Sequence, residues 1–314
     1  MNTKQKIQLS IIIPAYNEEK SMFPLYDMLT SVLKRLNKAY EIIFIDDGST
    51  DNTFRNLKKI NEKDKNVRLI QFMGHFEKAA ALSAGFSKTR GDVIITMDSD
   101  LQDDPEEIPR FLKKLDEGYD LVVGWKYKRK DPLTKVIASK VFNFFVRIAT
   151  KINVHDSDCN FRAIKKEVLK NISVYSGLYR YIPSIANSKG YKVGEIKIAH
   201  HPRKYGKSKY GFGRIFGGLL DLLTIKFLLS YNRRPLHLFG GIGILFSALG
   251  FIVGFYLLYL KYFFDSPIRD RPLLILALLL IVLGIQFISI GLIGEMVVNT
   301  SQRDKDQYII KREL

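Results

Sequence analysis

The sequence predicts an α/β fold, a mostly parallel sheet covered by helices on both faces, followed by a C-terminal two-helix transmembrane hairpin. Three observations carry this expectation. Short runs rich in Ile and Val alternate with helix-like stretches through the first two thirds of the chain, acidic residues collect where those runs end, and two almost uninterrupted apolar stretches follow. Such alternation is the pattern of βαβ units, whose strands are buried on both faces and so read as continuous apolar runs.

The candidate strands lie at 9–14, 41–46, 67–72, 93–97 and 121–124. The first ends in Pro14-Ala-Tyr-Asn-Glu-Glu19, the second in Asp46-Asp-Gly-Ser-Thr-Asp51 and the fourth in Asp98-Ser-Asp100. Open parallel sheets bind ligands beyond the carboxyl ends of their strands. Three polar strand ends on one edge therefore mark a site. Asp98 and Asp100 suit a shared Mg²⁺ or Mn²⁺ bridging the two phosphates of a nucleotide-sugar, where the metal offsets the charge of a departing nucleoside diphosphate. Asp46 or Asp47 can accept the N3–H of a uracil. Ser49 and Asp51 either cap the next helix or face the ligand. No Gly-rich dinucleotide fingerprint follows the first strand, which argues against a nicotinamide enzyme.

The apolar stretches 236–264 and 272–298 each exceed the roughly 20 residues that cross a bilayer. Arg233 and Arg234 precede the first, Arg303, Lys305, Lys311 and Arg312 follow the second, and the 265–271 connection is balanced in charge. The positive-inside rule then places the large N-terminal domain and both termini in the cytoplasm, as parts of a multi-pass protein of the cell membrane. No signal-peptide pattern opens the chain, so no cleavable leader is expected. The organisation reads as a domain over 1–200, a basic and juxtamembrane segment over 201–235, spans within 236–300 and a tail over 301–314. Segment 215–229, charged only at Asp221 and Lys226, suits a helix lying in the membrane interface or a buried helix at the domain base.

A formal charge of +17 raises nucleic acid as a partner. The basic residues, however, cluster at Arg203-Lys-Tyr-Gly-Lys-Ser-Lys209 and at Arg233-Arg234, beside membrane-seeking sequence. Anionic head groups attract such charges by about 1 kcal/mol each, so the lipid bilayer is the expected partner and nucleic acid is not. The single cysteine, Cys159, excludes an intramolecular disulfide framework and a multi-cysteine metal site.

Together, Ser10-Ile-Ile-Ile-Pro-Ala-Tyr-Asn-Glu-Glu19, Glu41-Ile-Ile-Phe-Ile-Asp-Asp-Gly-Ser-Thr-Asp-Asn-Thr53 and Met97-Asp-Ser-Asp-Leu-Gln-Asp-Asp-Pro-Glu106 resemble family 2 glycosyltransferases of the dolichol-phosphate mannose synthase type. With its two C-terminal spans the chain is most similar to bacterial polyprenyl-phosphate (bactoprenol) glucosyltransferases. The resemblance implies a GT-A (nucleotide-diphospho-sugar transferase) fold. It also implies that Pro14, Tyr16, Glu18 and Asp47 line the nucleotide pocket and that Asp98, Asp100 and Gln102 hold metal and diphosphate. Where the family grips a lipid phosphate with Gly-Thr-Arg and Arg-x-x-x-Ser, this chain has Gly124-Trp-Lys126 and Lys135-Val-Ile-Ala-Ser139. Lys126, Lys135 and Ser139 inherit that role, with charge retained but the bidentate fork lost. Arg203, ahead of Gly206-Lys207-Ser-Lys-Tyr210, matches the basic residue of the segment that closes over the family's site, and Lys207 joins it as an acceptor-phosphate contact. Asp156-Ser-Asp-Cys-Asn-Phe-Arg162 resembles the family's Asp-x-Thr-Gly-x-Phe-Arg, which makes Asp156 the catalytic acid position, Asp158 its alternative and Arg162 an acceptor-side cation. Gly74-His-Phe-Glu-Lys78 departs from the family's Arg-Asn-Phe-Gly-Lys. His75 there reads as a cap or surface residue, or as a replacement polar contact.

The implied reaction is inverting transfer of a hexose, glucose or N-acetylglucosamine, from a UDP-sugar to polyprenyl (undecaprenyl) phosphate for cell-envelope glycan modification. A phosphate monoester has a second pKa near 6, so Asp156 is expected to orient the acceptor rather than to take its proton. Two other readings are a processive polysaccharide synthase and a non-catalytic membrane scaffold or sensor that binds a nucleotide-sugar. The synthase is disfavoured because the one tryptophan, Trp125, lies in no Gln-x-x-Arg-Trp motif. The resemblance also suggests a homo-oligomer. Gly240, Gly241, Gly243, Gly250 and Gly254 would let helices approach closely, either between copies or within the hairpin.

Overall fold

The computed structural model describes residues 6–127, 143–144, 146–148, 150, 152–172, 176–202, 224, 227, 234–264, 267 and 272–301. The chain forms two compact units, Met1–Ile225 and Lys226–Leu314. In the first unit the strands are β1 (Leu9–Ala15), β2 (Tyr40–Asp46), β3 (Val67–Gln71), β4 (Val93–Thr96), β5 (Leu121–Lys126), β6 (Arg162–Lys165) and β7 (Val193–Ile198). They form one sheet in the order β3-β2-β1-β4-β6-β5-β7. The first four are parallel, β6 runs antiparallel to both β4 and β5, and β7 is parallel to β5. The mostly parallel sheet expected from the sequence is present, with β6 and β7 added to the five expected strands.

The centre of the sheet is its driest part. Ile11, Ile12, Ile13, Ile42, Ile43, Phe44 and Ile45 expose no surface, and each such side chain contributes about 1.5–3 kcal/mol by leaving water. Helix α1 (Met22–Arg35) buries Leu25, Leu29, Val32 and Leu33, one stripe at helical spacing. Helices α2 (Thr53–Lys63), α3 (Glu77–Lys88) and α4 (Ile108–Asp116) complete the cover described for this half of the sheet. Parallel register sets the ends of the central strands: Ala15 pairs with Asp46 across β1 and β2, and Ile12 pairs with Thr96 across β1 and β4. The loops after these strands therefore leave from one edge.

At the opposite end of β2, Glu41 is buried and fully used. Its Oε1 accepts from Ser10 Oγ at 2.7 Å and from the Arg90 N–H at 2.7 Å, and its Oε2 accepts from Arg68 at 2.8 Å. This acid braces the sheet and lies away from the strand-end site.

The second unit holds two helices, Pro235–Phe264 and Pro272–Ser301, both long and apolar enough to cross a membrane. Glycine lets them touch. A Cβ on Gly243 would lie 2.6 Å from the Gly284 carbonyl oxygen, and one on Gly250 would lie 2.8 Å from that of Ala277. Gly243 and Gly250 thus serve the hairpin itself, whereas among the described residues nothing lies within 4 Å of a Cβ on Gly241 or Gly254. Glu295 accepts a hydrogen bond from the Leu236 N–H at 3.3 Å, satisfying one of the free amides that begin the first long helix.

Candidate active site

The loops after β1 and β2 are tied to each other before any ligand is considered. Asn17, at φ 52°, donates its N–H to Ser49 Oγ at 3.0 Å, and its own Oδ1 accepts from the Thr50 N–H at 2.8 Å. Asp51 accepts from the N–H groups of Thr53 at 2.9 Å and Glu19 at 3.2 Å, and the Glu18 N–H reaches Thr53 Oγ1 at 2.8 Å. Ser49 and Asp51 are thereby explained as braces of the loop and of the entry to α2. Glu18 Oε2 accepts from Ser21 Oγ at 3.3 Å, and Pro14 is half-buried near the end of β1.

Asp46 ends β2, Asp47 follows it, and both are buried. Asp47 is held from the β3–α3 loop: the Phe76 N–H donates to Oδ1 at 2.8 Å and His75 Nδ1 lies 2.9 Å from Oδ2. The His75 ring also stacks on Tyr16, with centroids 4.0 Å apart and planes 16° apart. His75 is therefore a built contact in the candidate nucleotide pocket and caps no helix. Asp46 Oδ1 accepts from the Ser49 N–H at 3.4 Å, while its buried Oδ2 has no hydrogen-bond partner among the described residues. Gly48, at φ +71°, packs so closely on Gly74 that a Cβ would stand 2.5 Å from the Gly74 carbonyl carbon.

The turn after β4 is bent by Leu101, a buried leucine at φ 61°. Backbone in that region is uncommon for a side chain of this size and concentrates at functional sites. Here it returns the Gln102 N–H to Asp100 Oδ1 at 3.1 Å, with Asp100 itself buried. Asp98 Oδ1 receives Lys78 Nζ from α3 at 2.5 Å and Asn160 Nδ2 at 2.9 Å. Asn160 belongs to the segment before β6, which the Thr96 hydroxyl pins to β4 by donating to the Asn160 carbonyl. Asp103 Oδ2 accepts from the Asp98 N–H at 3.3 Å, and its Oδ1 lies 3.1 Å from Lys126 Nζ. Burial pushes the Asp98 carboxyl up, but the Lys78 ammonium, then Lys126, and the hydrogen bonds from Lys78 and Asn160 outweigh it and hold Asp98 down at about 2. Burial likewise opposes the charge of Lys126, and Asp103, foremost among its acidic surroundings, carries it well above the usual lysine range.

The expected acceptor side divides. Asp156 is buried, and Asp158 lies 3.3 Å from Arg180 Nε. Arg162, expected at a phosphate, is instead 1% exposed, and its guanidinium donates to the carbonyls of Cys159 at 2.5 Å, Tyr179 at 2.6 Å and Ser157 at 3.0 Å. It fixes the backbone on which Asp156, Asp158 and Asn160 sit. The Cys159 thiol is pushed up to about 12 by burial, so it is inert at neutral pH. Lys135, Ser139, Arg203, Lys207 and all of segment 215–229 except residues 224 and 227 lie outside the described residues.

Sequence reasoning missed several members of this edge. Lys78, Asp103 and Asn160 lay inside the motifs without a role. His200 and His201 follow β7 and come to the same turn: Asp103 and His200 form a β-bridge, the His201 N–H donates to the Gln102 carbonyl at 3.0 Å, and His201 Nε2 lies 3.1 Å from Asp104 Oδ2. Only the pairing of β7 with β5 brings them there. Beside Lys126, Trp125 stacks on His155 at 4.0 Å and Lys197 lies over its ring.

The sequence profile of glycosyl transferase family 2 matches residues 10–173, the span that carries the strand-end acids, Lys78, Lys126 and the Asp156–Arg162 segment. The chain belongs to glycosyl transferase family 2. This glycosyltransferase is 33% identical over 318 residues to dodecaprenyl-phosphate galacturonate synthase of Rhizobium johnstonii, covering 98% of this chain and 93% of the relative. It is also 33% identical over 317 residues to undecaprenyl-phosphate 4-deoxy-4-formamido-L-arabinose transferase of Proteus mirabilis, covering 99% and 96%. Among solved structures it is similar to glucosyl-3-phosphoglycerate synthase from Mycobacterium tuberculosis in complex with Mn²⁺, UDP and phosphoglyceric acid. That match has a TM-score of 0.56 at 19% identity and covers 70% of this chain and 78% of that one. The fold is thus GT-A-like, and the resemblance read from the motifs is met. Neither sequence relative is named for glucose or N-acetylglucosamine.

Proposed function

We propose that this glycosyltransferase moves a sugar in one inverting step from a UDP-sugar to the phosphate of polyprenyl (undecaprenyl) phosphate. The single observation that carries this reading is the double approach to Asp98, by Lys78 from the donor-side helix and by Asn160 from the segment expected to meet the acceptor. Both sequence relatives bear polyprenyl-phosphate names across nearly the whole chain, which supports the acceptor. Glucose and N-acetylglucosamine stand as the sequence-based candidates for the sugar, with galacturonate and formamidoarabinose beside them on the evidence of the relatives' names.

In this reading the base lies against Tyr16 and His75, with Asp46 and Asp47 behind it and Pro14 and Glu18 lining the pocket. Asp98, Asp100 and Gln102 would hold Mg²⁺ or Mn²⁺. The donors fit: two carboxylates and an amide oxygen are hard ligands, and a cation bound by one or two carboxylates plus substrate phosphates needs no all-protein cage. Among the described residues no three His, Cys, Asp or Glu side chains form such a cage. When bound, the metal supplies neutralising charge to the departing diphosphate. The chain's own groups do the rest. An acceptor phosphate oxygen, already ionised at neutral pH, displaces UDP from the anomeric carbon, and Asp156 or Asp158 orients it without taking a proton. Lys126, held charged by Asp103, contributes positive potential, with Lys135, Ser139, Arg203 and Lys207 proposed to hold the acceptor. Arg162 acts beneath them as a positioning residue. Positioning and charge neutralisation then supply most of the acceleration.

The proposal places the 1–200 domain and both termini on the cytoplasmic side, the hairpin across the cell membrane and the basic 201–235 segment against anionic lipid. It includes a homo-oligomer, for which Gly241 and Gly254, uncovered by any of the described residues, leave room. The test is UDP release and lipid-linked product from a panel of UDP-sugars with undecaprenyl phosphate in detergent, with Mg²⁺ or Mn²⁺. Turnover with one sugar, abolished by chelator and by Asp100→Asn in folded protein, is the expected result. UDP release without any lipid product would refute the acceptor, and turnover indifferent to chelator would refute the metal.

A further inference from the structure

Lys78, in the first turn of α3, faces the Asp98 carboxylate. Its ammonium sits 2.5 Å from Asp98 Oδ1, an oxygen that also receives Asn160 at 2.9 Å. That carboxylate oxygen, which a divalent cation would claim, is already occupied by two donors.

Resting on the metal reading above, we propose that Lys78 is the resident counter-cation of the Asp98–Asp100 clamp, and that it makes metal and nucleoside diphosphate bind as a set. A divalent ion at the clamp meets an ammonium of the same sign within a few ångströms, so metal alone must displace Lys78 from its carboxylate. A diphosphate offers the displaced ammonium a new anionic partner in the same place. The lysine stem makes this exchange possible: Lys78 sits in the first turn of α3, is 26% exposed at its side chain, and keeps its ammonium 5.9 Å from the Tyr179 ring centroid, free of the rigid planar grip an arginine would impose. Each ligand thereby removes the obstacle to the other. Linkage requires the effect to be reciprocal, since whatever factor UDP adds to metal affinity the metal adds to UDP affinity.

The experiment is a titration of the detergent-solubilised full chain with Mn²⁺, reading free Mn²⁺ by electron paramagnetic resonance, with and without UDP. No turnover is needed. In the wild type UDP tightens Mn²⁺ by about tenfold or more. In Lys78→Met, Mn²⁺ alone binds about tenfold tighter than in the wild type and the added effect of UDP falls below about threefold. Lys78→Arg, which keeps the charge, retains weak metal binding in the absence of UDP. Unchanged or weaker Mn²⁺ affinity in Lys78→Met overturns the proposal while leaving the metal reading intact. Should Lys78→Met not fold, the wild type decides alone: Mn²⁺ affinity indifferent to UDP overturns it. Absence of Mn²⁺ binding to the wild type even with UDP overturns both.

Discussion

Gly48→Ala is the substitution whose effect the structure fixes most closely. Gly48 adopts φ +71°, where an L side chain costs about 1–2 kcal/mol. Its new Cβ would stand 2.5 Å from the Gly74 carbonyl carbon and 2.8 Å from the Gly74 Cα, both backbone atoms. Ordinary carbon contacts begin near 3.5 Å, so the Gly74 backbone must retreat by about 1 Å. The next residues in the chain are His75 and Phe76, which hold Asp47 at 2.9 and 2.8 Å. Stretching the Phe76 bond by that amount takes it out of hydrogen-bond range and forfeits about 1.5–3 kcal/mol, while the half-exposed His75 pair adds less than about 1 kcal/mol. The sum is a loss of about 2.5–6 kcal/mol. For a unit of this size that lowers Tm by about 5–24 °C. Because the Tyr16 and His75 wall moves with the loop, UDP affinity falls by about tenfold to a hundredfold. Thermal scanning and calorimetric UDP titration measure both. Gly118→Ala is the control: Gly118 is at φ +94° with none of the described residues within 4 Å of its missing Cβ, so it bears the conformational cost without touching the pocket. A Gly48→Ala protein that melts with Gly118→Ala and binds UDP as the wild type does would refute this account of the loop.

Lys126→Met leaves Asp103, 1% exposed, facing the vacated ammonium position, and breaking such a buried pair costs about 3–5 kcal/mol; a denaturant midpoint should fall accordingly and Lys126→Arg should recover part of it. Asp98 has a folded-state pKa of about 2 against an ordinary 3.8, so its stabilisation is complete above the ordinary value and is lost as pH falls through about 2. Acid unfolding of Asp98→Asn should accordingly be less steep between those pH values, as read by far-UV circular dichroism. Gly284→Leu drives a side chain into Ser247 and the Gly243 carbonyl across the hairpin, and size-exclusion chromatography in detergent should show aggregation or loss of monodisperse protein.

The first half of the sheet was legible because each parallel strand is one short apolar run between helices, and the acids that matter sit at fixed offsets from the run ends. β6 was not, because Arg-Ala-Ile-Lys is four residues long and lies inside a stretch whose acids and arginine claimed attention as chemistry. Its antiparallel insertion between β4 and β5 is a choice among distant partners that no local period encodes. Arg162 shows the cost of reading charge without burial: a guanidinium saturated by three carbonyls looks, in sequence, like one that awaits a phosphate. His75 answers to two of its readings at once, an exposed residue that also makes a polar contact. Its contact with Asp47 exists only because β2 and β3 are neighbours, whereas its position two residues ahead of α3 resembled that of a cap. His200 and His201 carried no motif, and their place at the turn depends on β7 pairing with β5.

The insertion of β6 also makes the order of synthesis matter. A nascent chain that has emerged only through β5 already contains Tyr16, Asp46, Asp47, Lys78, Asp98 and Asp100, yet the edge of β4 is bare, because its neighbour has not been made. β5 is the nearest strand to hand, and local pairings form faster than distant ones. Direct docking of β5 on β4 would bury that edge and close the slot into which β6 must bring Asn160 toward Asp98. The sheet is therefore complete only once β6 has been made, and the segment leading into that strand is the one that brings Asn160 to Asp98.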